Sequence, residues 1–209
     1  MDPYMKTVFE LILRRLMDNK TPHYIGRTVH ALCLVTLSYG AANVFRYLDS
    51  IQSGMLTMLI NDVFPKAIDS PLESLPLKQI IAGATLLLCE TTSLFQNPLT
   101  HGALLRFILQ MVDKESGWQD PTRADDPLEK DDDASREFDS TYSRLAFSQL
   151  PEPEPSGPAL KPAQFFVSTL AHASQASPGF VVAAAQSALD ARQRTVLQAL
   201  LTEARLSIA

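Results

Sequence analysis

At Thr21-Pro22, Asn97-Pro98 and Ser177-Pro178 the chain sets a small polar residue directly before a proline at the head of an apolar run. An oxygen on the first residue can accept from the free amides of a helix's first turn. Proline at the next position sacrifices no hydrogen bond, because that amide has no partner within the helix. The device starts helices and stops any central strand from passing through the same points. Between these starts the apolar residues recur at helical spacing. In 5–16, Met5, Val8, Phe9, Ile12, Leu13 and Leu16 make one stripe, with Lys6, Glu10, Arg14 and Arg15 mostly off it. No stretch alternates with period two in a way that demands a strand, so the fold class is all-α.

The same punctuation runs along the chain. The helix opened by Pro22 is expected to stop near Gly40, a short AANVFRYLDSI helix follows, and Pro65 is expected to kink or end GMLTMLINDVFPKAI. Pro71 and Pro76 bracket a turn before a helix through LKQIIAGATLLLCETTSLF, and Asn97-Pro98 opens LTHGALLRFILQMVDKE. Beyond an acidic stretch come AQFFVSTLAHASQA and FVVAAAQSAL. Asp190 and Gln193 then have capping-box spacing for a last helix over ARQRTVLQALLTEARLSIA, striped by Val196, Leu197, Leu200, Leu201, Ala204 and Ile208. Helices paired across short proline turns are the pattern of an α-α superhelix of HEAT or armadillo type; a compact irregular bundle fits the same periodicity. The expected organisation is helical repeats over 1–113, an acidic proline-containing insertion over 114–161 and C-terminal repeats over 162–209.

Charge is distributed very unevenly. Residues 1–112 carry 9 Lys and Arg against 8 Asp and Glu, 113–154 carry 5 against 13, and 155–209 carry 4 against 2. The net charge of −5 therefore comes entirely from the middle segment. No concentrated basic face favours nucleic acid or an anionic membrane. The longest apolar run, IIAGATLLLC, is about half of a membrane span, so membrane insertion is not expected. Charged residues interrupt the first apolar stripe, which does not read as a signal peptide. Cys33 and Cys89, both in apolar helical runs, read as reduced core residues of an intracellular protein.

Catalytic and metal chemistry find no anchor in these residues. His23, His30, His101 and His172 fall on different helices or caps, without ligand spacing, and read as surface or satisfied core side chains. No Gly-x-Ser-x-Gly elbow and no phosphate-binding Gly-rich loop is present. The spacing of DDPLE resembles a magnesium motif, but Pro127 disfavours the helix that would align its carboxylates. As a calcium loop, 131–142 has Arg136 where glycine is needed and Tyr142 where glutamate is needed. No cofactor is expected.

The acidic segment itself has two readings. Asp125, Asp126, Glu129, Asp131, Asp132, Asp133, Glu137 and Asp139 are a solvated loop, or a negative surface that steers and clamps a basic partner. Embedded in it, Phe138, Tyr142, Leu145, Phe147 and Leu150 read as a short helix near 139–150 that docks back on the repeats, since exposed aromatics invite aggregation. Trp118, the chain's single tryptophan, either packs over a helix end or anchors a partner.

Several stretches resemble a known family. NKTPHYIGRTVHALCLVTLSYGA, LDSIQSGM and LKQIIAGATLLL look like successive C-terminal repeats of the importin-alpha re-exporters, the exportins of the cellular apoptosis susceptibility family within the importin-beta superfamily. YSRLAFSQL after an acidic loop, followed past a spacer by ASQASPGF, is the sharpest similarity. The resemblance runs in order along essentially the whole chain. It implies a right-handed superhelix of antiparallel helix pairs and a receptor that carries importin-alpha out of the nucleus with the GTP form of Ran, shuttling between nucleus and cytoplasm. It also implies that GTP is hydrolysed on Ran and not on the receptor. Family members are several times longer, so residues 1–209 are expected to correspond to their C-terminal portion. The acidic loop would then face the basic import-factor-binding segment of importin-alpha or a basic patch of Ran. The alternative is an unrelated helical scaffold or adaptor whose acidic loop is a spacer.

Overall fold

The computed structural model describes residues 4–18, 20–117 and 157–208. Among them every regular element is helical: α1 Met5–Asp18, α2 Pro22–Tyr39, α3 Ala41–Ile51, α4 Met55–Asp62, α5 Phe64–Ala67, α6 Ser74–Glu90, α7 Pro98–Ser116, α8 Pro162–Ala176, α9 Phe180–Ala188 and α10 Ala191–Glu203. Two 3-10 turns, Thr92–Gln96 and Gly157–Ala159, precede α7 and α8.

The helix ends follow from local chemistry. Thr21 accepts from the Tyr24 amide at 3.4 Å and Asn97 from the Thr100 amide at 3.2 Å, each with proline just inside the helix. At α10 the capping box closes both ways. Asp190 Oδ1 accepts from the Gln193 amide at 2.7 Å, and Gln193 Oε1 from the Asp190 amide at 3.2 Å. Gly40, at φ 82°, ends α2 and donates to Thr36 O. Pro65 sits in the first turn of four-residue α5, because its ring cannot continue α4 past Val63.

Four helix boundaries differ from expectation. Helix α6 begins at Ser74, so the buried Pro76 lies inside its first turn, where an absent amide costs nothing. The helix stops at Glu90, and TTSLF tightens into a 3-10 turn. Helix α9 starts at Phe180, two residues after Pro178, behind Gly179 in the left-handed region. Helix α10 ends at Glu203, so Ile208 joins the core from beyond the helix.

The helices stack in two rows. In one, α2 packs on α6 and α6 on α8; in the other, α4 and α5 pack on α7 and α7 on α9, while α6 against α7 ties the rows together. This is the antiparallel, two-row arrangement of a HEAT-type α-solenoid, with α1 and α3 at one end and α10 against α7 and α8 at the other. Helix α6 is its centre: ten of its residues are buried and only Glu90 is exposed. One continuous core runs from Phe9 to Leu201.

Close approach is bought with small residues. A Cβ on Gly83 of α6 would lie 2.6 Å from both Cβ and O of Cys33 in α2. A Cβ on Gly102 of α7 would collide with the Cβ of Ala188 at the end of α9. Beside the first crossing, His30 and Gln79 bridge α2 and α6 at 2.7 Å. Phe64 and Phe107 meet edge-on at 5.0 Å between α5 and α7.

Candidate interaction surface

The sequence offers the acidic segment as its functional surface. Asp125, Asp126, Glu129, Asp131, Asp132, Asp133, Glu137 and Asp139, the apolar set Phe138, Tyr142, Leu145, Phe147 and Leu150, and Trp118 all lie outside the described residues. The acidic segment is flanked by residues that are described. Helix α7 runs to Ser116, and Lys114 near its end donates to Ile68 O at 2.6 Å and Ser70 O at 2.7 Å. Burial lowers the pKa of this ammonium, and Asp69 opposes the shift.

The described residues add a surface that the sequence reading did not single out. A groove of about 810 Å³ opens at the α1 end of the stack, between α1 and the run from the end of α3 through α5. Helix α1 makes its wall. Phe9, Leu13 and Leu16 face inward, with the Phe9 ring 6.2 Å from that of Tyr47. Tyr24 Oη donates to Ile12 O at 3.1 Å, and Arg15 lies over the Tyr24 ring, which fixes α1 against α2. The side of α1 turned away from these contacts presents Leu11 and Met17, and α4 presents Met58 opposite. Arg14, Lys20 and Lys66 stand among the lining residues with Glu10 and Asp62. A second groove, about 760 Å³, lies between the Gly157–Ala159 turn, α8 and the end of α10.

An apolar floor with a charged edge is suited to holding a helix or peptide. Among the described residues no group of three or more His, Cys, Asp or Glu could hold a metal ion. Burial raises the pKa of the Cys33 thiol far above its usual range and that of Cys89 up to about 12, so neither is a thiolate at neutral pH. No described helix is long and apolar enough to cross a membrane.

The histidines divide in a way that spacing did not indicate. His23 and His172 are exposed, and His30 is half-buried with Gln79 as its partner. His101 departs from the satisfied-core reading. It is fully buried, and neither ring nitrogen has a hydrogen-bond partner. Phe180 lies edge-on to it at 5.0 Å, Phe95 lies tilted to it at 5.3 Å, and burial lowers its pKa to about 4. The ring is a neutral aromatic plug between α7, α9 and the Thr92–Gln96 turn.

Comparison with known proteins locates this architecture. The chain is 25% identical to Exportin-2 of Homo sapiens over 210 residues, covering 99% of this chain and 21% of the relative. Exportin-2 of Oreochromis niloticus is 27% identical over 212 residues and that of Danio rerio 23% over 208, each with 98% of this chain and 21% of the relative covered. The chain thus spans about a fifth of the length of the curated relatives it matches. No solved structure matches it. A family model described as the C-terminus of the CAS/CSE protein matches residues 1–200, and the chain belongs to that family.

Proposed function

We propose that the chain acts as the C-terminal part of a nuclear export receptor, binding proteins by shape and charge and not by catalysis. The observation that carries this reading is the family match across residues 1–200, on a stack of helices in two packed rows. In this reading the receptor returns importin-alpha to the cytoplasm together with Ran in its GTP form, and so shuttles between nucleus and cytoplasm. The acidic residues 125–139 contribute the negative surface for a basic partner, and YSRLAFSQL pins that insertion to the repeats, lowering the entropy lost on binding. An unrelated scaffold with an acidic spacer has no observation in its favour.

A pull-down with importin-alpha and GTP-locked Ran tests the reading. Capture by this chain is expected to weaken as salt rises, because charge pairing at an exposed surface is screened. Replacing Asp131, Asp132 and Asp133 by Asn is expected to weaken it severalfold. Capture unaffected by these changes removes the acidic loop from the mechanism, and no capture of either protein removes the export role.

A further inference from the structure

The groove between the Gly157–Ala159 turn, α8 and the end of α10 leaves apolar side chains open. Leu160 is 59% exposed and Leu206 38%, and half-buried Phe165 and Leu200 line the groove with them. Single exposed apolar residues are ordinary, but these four share one concavity. The chain brings Leu206 to this wall through a strained residue. Arg205 sits at φ 55°, where glycine is usual. Its amide donates to Thr202 O at 3.0 Å, and that of Leu206 to Leu201 O at 2.9 Å. Among the described residues, no other element contributes to the lining.

Connectivity and charge single out an occupant. Gly157 itself lines the groove. Directly upstream lies the spacer PEPEPS, and before it the apolar set of the acidic segment ends at Leu150. An extended proline-rich spacer rises about 3.1 Å per residue, so Leu150 is tethered within about 22 Å of the groove's edge. The spacer's own acids are Glu152 and Glu154. Lys161 lines the groove and Arg205 adjoins it, and neither has an ion-pair partner among the described residues. The only acid in the lining is Glu203. The α1 groove, at the opposite end of the stack, has no such tether.

We propose that residues 142–150 of this same chain occupy the groove between α8 and α10, with Tyr142, Leu145 and Leu150 against its apolar floor. The inference rests on the pinning of the acidic segment in the reading above and adds where the pin is seated. Leu160 and Leu206 flank the incoming side chains, and Lys161 and Arg205 meet the acids of the spacer. Seated there, the segment covers the open apolar wall and holds residues 125–139 beside α8 and α10. The groove is then an internal anchor for the acidic surface and not a cargo site.

Amide hydrogen exchange on the 209-residue chain tests the seat. Exchange over 142–150 is expected to be slowed roughly tenfold or more relative to a free chain, as burial against a folded surface suppresses opening. The double variant Leu160→Asp, Leu206→Asp is expected to erase that protection. Both side chains are exposed, so the variant keeps the core intact. Leu99→Asp, at an 80%-exposed position outside the groove, is the control and leaves the protection unchanged. Engineered cysteines locate the segment, because neither Cys33 nor Cys89 is a thiolate at neutral pH. Under mild oxidation, Leu145→Cys with Leu206→Cys is expected to close a disulfide roughly tenfold faster than Leu145→Cys with Leu99→Cys, since the bond needs its two Cα atoms close together. Unprotected exchange, protection indifferent to the double variant, or a bond no faster than the control overturns the proposal. So does faster bonding of Leu145→Cys to Met17→Cys, which would place the segment in the α1 groove. Disulfide-linked dimers as the main product would make a second copy the occupant and overturn it too. Neither readout involves a partner. A seated segment without capture of importin-alpha or Ran would sink the export role alone, and capture with an unseated segment would sink this inference alone.

Discussion

Helices α1 and α6 are of similar length and both rich in Leu and Ile, yet they occupy opposite environments. Helix α6, at the centre, buries ten residues and leaves only Glu90 exposed, so it has almost no solvent face. Helix α1, at the end of the stack, buries Phe9, Leu13 and Leu16 and leaves Leu11 and Met17 open. In a solenoid, burial depends on how many neighbouring helices a position touches, and only secondarily on the helix's own composition.

The contrast is broken most directly by cutting the same side chain in both helices. Leu87→Ala in α6 is expected to destabilise by about 3–5 kcal/mol, the range for a fully buried leucine that leaves a cavity. Leu11→Ala in α1 is expected to change stability by about 0.5 kcal/mol or less. Urea unfolding of both variants measures the pair. Equal losses would mean that the outer side of α1 is covered in solution.

The pH dependence of stability probes a buried group on α7, which packs against α6. The unfolded chain protonates His101 near its ordinary pKa of 6.5, while the folded state resists down to about 4. The unfolded state therefore binds more protons throughout that window. Stability is complete above about pH 6.5, falls as pH drops towards 4, and levels off below it, a loss on the order of 3 kcal/mol. Half-buried His30, whose pKa is also lowered by burial, adds in the same direction. Denaturant midpoints measured across this range should lose much of their slope in His101→Leu; an unchanged slope would place the ring in water.

A smaller effect sharpens the picture of α6 as a close-packed centre. Gly83→Ala is expected to cost about 1–3 kcal/mol, because the new methyl meets the backbone of Cys33 and α2 must move aside. Thermal unfolding checks this, with Gly54→Ala as a contrast in which no atom lies within 4 Å and only the left-handed φ of 75° is strained.

The capped helix starts were legible because their chemistry is local, whereas α6 and α9 begin at other residues than expected. Thr21, Asn97 and Asp190 cap in place with partners three residues away, and Pro65 ends a helix by its own geometry. The α1 stripe was legible only in part. Phe9, Leu13 and Leu16 are buried as expected, whereas Val8 is exposed and Leu11, outside the expected stripe, lines the groove. Helical periodicity assigns residues to a face but does not say which face has a neighbour. His101 illustrates the same limit: nothing in its spacing separates a buried, unpartnered ring from a surface one. The acidic segment is legible as composition alone, since clustered charge is read directly from the chain.

The order of residues was enough for the all-α class, the capped helix starts, the concentration of acid in one segment and the resemblance to the export-receptor family. Each rests on contacts within a few residues or on the order of residues along the chain. Packing alone makes α6 the central helix, Gly83 and Gly102 places of close approach, His101 an unpartnered plug and the space between α1 and α4 an open apolar groove. Those properties arise between residues far apart in the chain, where burial is set by the neighbour that arrives and not by the side chain that waits for it.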